Sequence, residues 1–255
     1  MGKDRKKPAE FDSYAKGYDG GMDDPLKKMM GRSQKDFLAV KANILMDEIA
    51  ARYGTGRAGR EDISILDLGC GTGEFLGLIS ERGKGFRLEG CDVSPGMIEE
   101  GRCRHDTGNA KLFEMDPEGR ALPDQRYDVI YASCVFHHIV PVLRQVVVTN
   151  IYRALVPGGT FIVFEHNPWN PLTLFVVKRA EIDRNAELLS SVETVSLMKK
   201  AGMAHVRTGY FLFVPPRLSG KWTRAFERSI SWLPAGAQYY VVGRKQHDRG
   251  AHGNI

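Results

Sequence analysis

Apolar residues along this chain follow two rhythms that take turns. Short, mostly apolar runs at Ile63–Leu68, 127–132 and 160–165 have the length of strands buried on both faces. Between such runs, apolar residues recur every three or four positions, as in Phe75, Leu76 and Ile79, which is the signature of a helix with one inward stripe. In order, the pattern predicts a strand at Ile63–Leu68, a helix at 72–82, a strand at Phe86–Asp92 and a helix capped by Ser94 and opened by Pro95. A short strand at 110–114, a strand at 127–132 and a helix at 141–155 follow. Val156-Pro157-Gly158-Gly159 then precedes a strand at 160–165, a helix at 191–201 is stopped by Gly202, and strands at 205–214 and 237–244 close the series. Helix and strand alternate without an internal repeat, so an open α/β sheet is expected.

Composition narrows this picture in three ways. The 255 residues suffice for one α/β core, so a single domain over 1–255 is expected, with flexible tails at 1–10 and 246–255 and an insertion at 215–236. No apolar run approaches the roughly 18 residues of a membrane span, and the charged N-terminus has no apolar stretch behind it; a cytoplasmic location is expected. Cys70, Cys91, Cys103 and Cys134 form no C-x-x-C pair and read as reduced thiols, and the sequence calls for no metal. The net charge of +5 sits at the ends: Lys3, Arg5, Lys6 and Lys7 against Asp4, and Arg244, Lys245 and Arg249 against Asp248, account for all of it. Basic ends on a neutral body read as solvated tails, and nucleic acid is not the expected partner.

The candidate chemistry starts where the first strand ends, at Asp67-Leu68-Gly69-Cys70-Gly71-Thr72-Gly73-Glu74. Strand, glycine turn and helix form the usual anion- and nucleotide-binding unit of open α/β sheets, whose ligands lie beyond the carboxyl ends of the strands. The dinucleotide fingerprint needs a glycine where Glu74 stands, and no Gly-Lys-Ser/Thr follows for a P-loop. Acid-x-Gly-x-Gly-x-Gly fits instead. A second strand ends in Asp92, 25 residues after Asp67, a third ends ahead of Met115-Asp116, and a fourth is followed by Ser133-Cys134-Val135-Phe136-His137-His138.

In these motifs the chain resembles the class I S-adenosylmethionine-dependent methyltransferases of small-molecule type (type 11/12-like), over most of its length from about Phe11 to Lys245. The resemblance implies a Rossmann-like seven-stranded, mostly parallel sheet with an antiparallel last strand and helices on both faces. It implies S-adenosyl-L-methionine as cofactor, held by Asp67, Gly69, Cys70, Gly71 and Gly73 of the turn, Asp92, Val93 and Met97 after the second strand, Met115 and Asp116 at the adenine, and Ser133. Asp92 would accept the ribose hydroxyls and Asp116 the adenine amino group. Tyr14 and Tyr18 resemble a family lid segment whose aromatic rings cover the sulfonium end; the competing reading is a Phe11/Tyr14/Tyr18 stripe that packs down.

Methyl transfer asks mainly for alignment in a dry pocket, with a base where the acceptor must lose a proton. The candidates are His137, His138, Glu165 and His166 at the ends of strands four and five. The competing structural reading packs His138 under the next helix and leaves His137 in solvent, with Glu165 satisfying loop amides. Acceptor choice is expected from Asn167-Pro168-Trp169-Asn170-Pro171 and from the 215–236 insertion. There Trp222, Phe226 and Ile230 fall four residues apart among Arg217, Lys221, Arg224 and Arg228. This basic amphipathic helix is expected to bury its stripe on the domain, the alternative being peripheral contact with a membrane. The base-amino methyltransferase motif Asp/Asn-Pro-Pro-aromatic is absent after strand four. Two functions remain: methyl transfer to oxygen or carbon of a small acceptor (a sugar, a lipid-linked molecule or a secondary metabolite), or a non-catalytic accessory protein that keeps the cofactor fold.

Overall fold

The computed structural model describes residues 34–54, 63–83, 85–104, 106–180, 183–218 and 220–247. Helix α1 (Gln34–Tyr53) leads to β1 (Ile63–Leu68), α2 (Glu74–Arg82), β2 (Phe86–Asp92), α3 (Pro95–Cys103), β3 (Lys111–Glu114) and β4 (Tyr127–Ser133). Next come α4 (Pro141–Ala154), β5 (Leu155–His166), α5 (Pro171–Arg179), α6 (Ser191–Lys200), β6 (Ala204–Phe211), α7 (Lys221–Ser229) and β7 (Gln238–Arg244). The strands form one sheet in the order β3-β2-β1-β4-β5-β7-β6. Pairing is parallel from β3 to β5, and β7 runs antiparallel to both β5 and β6. The expected Rossmann-like sheet with an antiparallel last strand is the one observed.

Alternation along the strands divides the core between two faces. Ile65, Val129, Tyr131, Ile162 and Phe164 pack with Leu45, Ile49, Leu76 and Ile79 of α1 and α2. Leu66, Ile130, Phe161 and Val163 point the other way, onto Val147, Val148 and Ile151 of α4 and Met198 of α6. Side-chain caps open three helices where the sequence supplies them: Ser94 accepts from the Met97 amide at 3.2 Å, Asn170 from Thr173 at 3.0 Å and Ser190 from Glu193 at 3.2 Å.

Two elements depart from the sequence reading, and helix α1 stands outside it. Helix α1 has no clean apolar stripe, because its buried face carries Lys41 and Glu48. Lys41 donates to Ser133 Oγ at 2.8 Å and to Cys134 Sγ at 3.1 Å, and Glu48 pairs with Arg207, so both charges are matched inside. Strand β5 begins at Leu155, ahead of the expected start, through a register shift that moves pairing from Tyr127–Leu155 to Val129–Thr160. The other is α7, which buries no residue at all. Of its expected packing stripe, Trp222 and Phe226 lie in solvent and Ile230, at the C-cap, is half-buried.

Because β1, β2, β4 and β5 are parallel, their carboxyl ends share one edge of the sheet. Strand β6 points the same way as β5, both being antiparallel to β7, so the β6–β7 insertion also emerges at that edge.

Candidate functional site

A cavity of about 520 Å³ opens at this carboxyl edge. Its floor is the glycine turn after β1. Gly69, Gly71 and Gly73 have φ of +73°, +53° and +83°, which an L side chain adopts only under strain. A Cβ on Gly69 would lie 2.5 Å from Val135 Cγ2, whereas on Gly71 it would meet nothing within 4 Å. Gly71 therefore presents bare backbone to open space. The turn is fixed from below: the Gly69 and Cys70 amides donate to the Cys91 carbonyl at 2.7 and 3.0 Å.

Two acids flank the turn. Asp92 accepts from the Gly71 amide at 2.9 Å through Oδ2 and from the Ser94 amide at 2.9 Å through Oδ1, tying two loops together. A carboxylate offers about four acceptor sites, and Asp92 lines the cavity. Asp67 is buried and receives the Tyr131 hydroxyl on Oδ2 at 3.0 Å, while Oδ1 has no partner among the described residues. Burial, opposed by the Tyr131 hydrogen bond, reinforced by the Asp92 charge and opposed by Lys41, pushes the Asp67 carboxyl up to about 8. An orphaned, buried acid on the wall of a cavity is a place prepared for a donor or a cation.

Of the expected cofactor residues, Asp67, Gly69, Cys70, Gly71, Asp92, Val93, Met97, Met115 and Ser133 line this one cavity, and Gly73 lies just behind it as the N-cap of α2. Asp116 does not line it. Its carboxylate accepts from the amides of Glu118 and Arg120 at 3.1 Å and Ala121 at 2.9 Å, which stabilises its own turn and lowers its pKa, so Met115 and Pro117 stand on the wall instead. Tyr14 and Tyr18 lie outside the described residues.

The other end of the cavity is built by the turn Phe136–His138. His137 is buried and His138 half-buried on the wall, the reverse of the competing sequence reading. Glu165, at the end of β5, is wholly buried and does not line the cavity: it accepts from the Phe136 amide at 2.7 Å and binds His137 Nδ1 at 2.5 Å. Asp183 Oδ1 lies 3.5 Å from Nε2 of both His137 and His138. Burial disfavours a charged His137, but the Glu165 charge and the hydrogen bonds of Asp183 and Glu165 outweigh it and raise its pKa to about 10. Burial likewise opposes ionisation of Glu165, and His137 overcomes it, bringing the carboxyl down to about 2. Cys134, at φ +58° on the same wall, is driven upward by burial but more strongly downward by the Lys41 ammonium and His166, to about 6.

His137, His138 and Asp183 each offer one atom within 4.8 Å of the others, close enough to share a cation. A charged imidazole already sits there between two carboxylates. Sequence reading found the histidines but missed Lys41, Asp183 and Gln238, which also form the wall. In sequence Asp183 stands within the charged run 179–184, and nothing local points from it to the histidines.

Comparison with known proteins agrees with this geometry. A family model described as a methyltransferase domain matches residues 65–159. An uncharacterized methyltransferase of Synechocystis is 27% identical over 149 residues, covering 56% of this chain and 68% of that protein. A malonyl-[acyl-carrier protein] O-methyltransferase of Acetivibrio thermocellus is 36% identical over 74 residues, covering 29% of this chain and 26% of the relative. The chain thus spans from about a quarter to two thirds of these relatives' length. Among solved structures, the complex of the Haloferax volcanii Trm112 methyltransferase activator contains a chain that superposes with a TM-score of 0.60 at 21% identity, covering 95% of this chain and 100% of that one.

Proposed function

We propose that this chain, matched over residues 65–159 by a methyltransferase-domain model, is a class I S-adenosylmethionine-dependent methyltransferase that moves the cofactor's methyl group to an oxygen or carbon of a small-molecule acceptor. The observation that carries this reading is the buried Asp67 Oδ1, with no partner among the described residues, beside an open glycine turn in a cavity that continues to a histidine cluster.

The residues present fit the cofactor. Asp67 would pair with the methionine ammonium, Asp92 would accept ribose hydroxyls, and Met97 and Met115 would flank the base. When bound, the cofactor supplies a sulfonium methyl, an electrophile that needs alignment and exclusion of water more than activation. His137, held charged between Glu165 and Asp183, is not placed to act as a base and serves as a fixed positive charge on the cavity wall. His138, oriented by Asp183 and half-exposed on the wall, is placed to take a proton from an acceptor hydroxyl or acidic carbon. Glu165 is a positioning residue that works through His137. An oxygen acceptor is in keeping with the malonyl-carrier O-methyltransferase relative.

Calorimetric titration tests the first half of the proposal. Stoichiometric binding of S-adenosylhomocysteine is expected; binding of neither it nor the methyl donor would leave a non-catalytic member of the fold. The same experiment carries a pH signature. Asp67 keeps its proton near neutrality in the ligand-free protein, while its ionised form is the one that pairs with an ammonium. Affinity is therefore expected to rise with pH up to about 8, by at most about tenfold per unit, with a proton released on binding. Asp67→Asn should flatten that dependence, and buffers of different protonation enthalpy read the proton directly. A flat profile in the unmodified protein would contradict the role given to Asp67.

A further inference from the structure

We propose that the carboxyl edge of the sheet is a membrane-docking face, and that the acceptor is an amphiphile drawn into the cavity from an anionic bilayer. The second clause rests on the methyl-transfer reading above; the first stands without it.

Among the described residues, every exposed large apolar side chain lies in one of four segments: the start of α4, the stretch from Trp169 through α5, the start of α6, and the β6–β7 insertion. All four belong to the edge where the cavity opens. Helices α4 and α5 begin where β4 and β5 end, α6 begins at the edge opposite the start of β6, and the insertion leaves β6 at its carboxyl end. The chain has three tryptophans, and all stand here: Trp169, Trp222 and Trp232 are 61%, 90% and 72% exposed. An apolar surface of this kind confined to one edge marks an interaction site rather than scattered surface residues.

Helix α7 is held without using its aromatic residues. Glu227 accepts from the Phe213 and Val214 amides at 2.8 and 3.1 Å, and Arg228 pairs with Asp47 of α1. Trp222 and Phe226 are thereby presented outward. Residues 212–237 carry Arg217, Lys221, Arg224 and Arg228 against the single acid Glu227. Bases interleaved with aromatic residues match an anionic headgroup layer, where the rings enter the interface and the bases stay at the phosphates. A second copy of the chain would set the same bases against each other.

The exposed surface also runs into the cavity. Leu172 and Val140 are at once exposed and part of its lining, and α5 turns Thr173, Val176 and Val177 inward while Phe175 faces out. A molecule with an apolar tail therefore meets apolar side chains on its way from bilayer to wall. No helix among the described residues is long and apolar enough to cross a membrane, so contact is at the surface.

Vesicle sedimentation on the full chain tests the proposal. Binding to phosphatidylcholine mixed with phosphatidylglycerol is expected, with weak binding to phosphatidylcholine alone. Tryptophan emission should shift to the blue, since all three reporters lie on the docking face. The pairs Trp222→Ser/Phe226→Ser and Lys221→Glu/Arg224→Glu should each lower partition on the order of tenfold or more. Equal binding to neutral and anionic vesicles, or unchanged partition in both variants, would overturn the proposal. So would a dimer in sedimentation equilibrium that Trp222→Ser/Phe226→Ser dissolves, which would assign the face to a second copy. Calorimetry with S-adenosylhomocysteine in parallel separates the two readings: its loss in the unmodified protein counts against methyl transfer, while vesicle binding alone decides docking.

Discussion

Replacing Glu165 with glutamine is expected to destabilise the protein by about 1–3 kcal/mol near pH 6, less than the cost of fully orphaning a buried charge because Asp183 still faces His137. The glutamine can still accept from the Phe136 amide, so the loss isolates the charge opposite His137. Its pH dependence identifies the pair. His137 has a folded pKa of about 10, raised above its ordinary value, so its contribution is complete below about pH 6.5 and lost as pH rises toward 10. Glu165, depressed to about 2, contributes fully above about pH 4.5 and loses this as pH falls through 2. The stability gap between the two proteins should therefore be widest between those limits and close on either side. Urea denaturation across pH measures it, and a gap that widens above pH 8 would mean that His137 is not the charged partner.

The second large effect is on the cofactor. Asp92→Ala is expected to weaken S-adenosylhomocysteine binding by about 2–3 kcal/mol, roughly 30- to 150-fold, since charge-assisted hydrogen bonds are at stake. The substitution also leaves the Gly71 and Ser94 amides without the acceptor that ties their loops together. Asp116→Ala is the control. Its carboxylate is committed to the Glu118, Arg120 and Ala121 amides, so thermal stability should fall while affinity changes only a few-fold. Equal losses of affinity in the two variants would show that Asp116 reaches the ligand after all.

These two experiments also divide what the sequence could reveal from what it could not. Asp67, the glycines, Asp92 and Met115 were legible because each sits at a strand end, and strand ends follow from apolar runs and breakers alone. The same logic found His137, His138 and Glu165. It failed for Lys41, whose ammonium reaches Ser133 and Cys134 across more than 90 residues of chain, and for Asp183, which folds back onto the histidines from a charged loop. Such contacts are set by tertiary packing and leave no local period. The aromatic stripe of α7 failed for the opposite reason: its period was correct, but helical spacing does not say whether anything covers the stripe.

The strand order has a consequence for descent. Residues proposed to hold the cofactor come from β1 to β4, whereas most of the wall around the acceptor end is contributed after Ser133. Mutational drift in the later half can retune the acceptor while the earlier half stays under selection for one unchanging ligand. The matched methyltransferase region, 65–159, falls mainly on that earlier half, as such an inheritance would leave it. Chimaeras joined within α4 should therefore exchange acceptors between relatives while conserving the affinity for the donor.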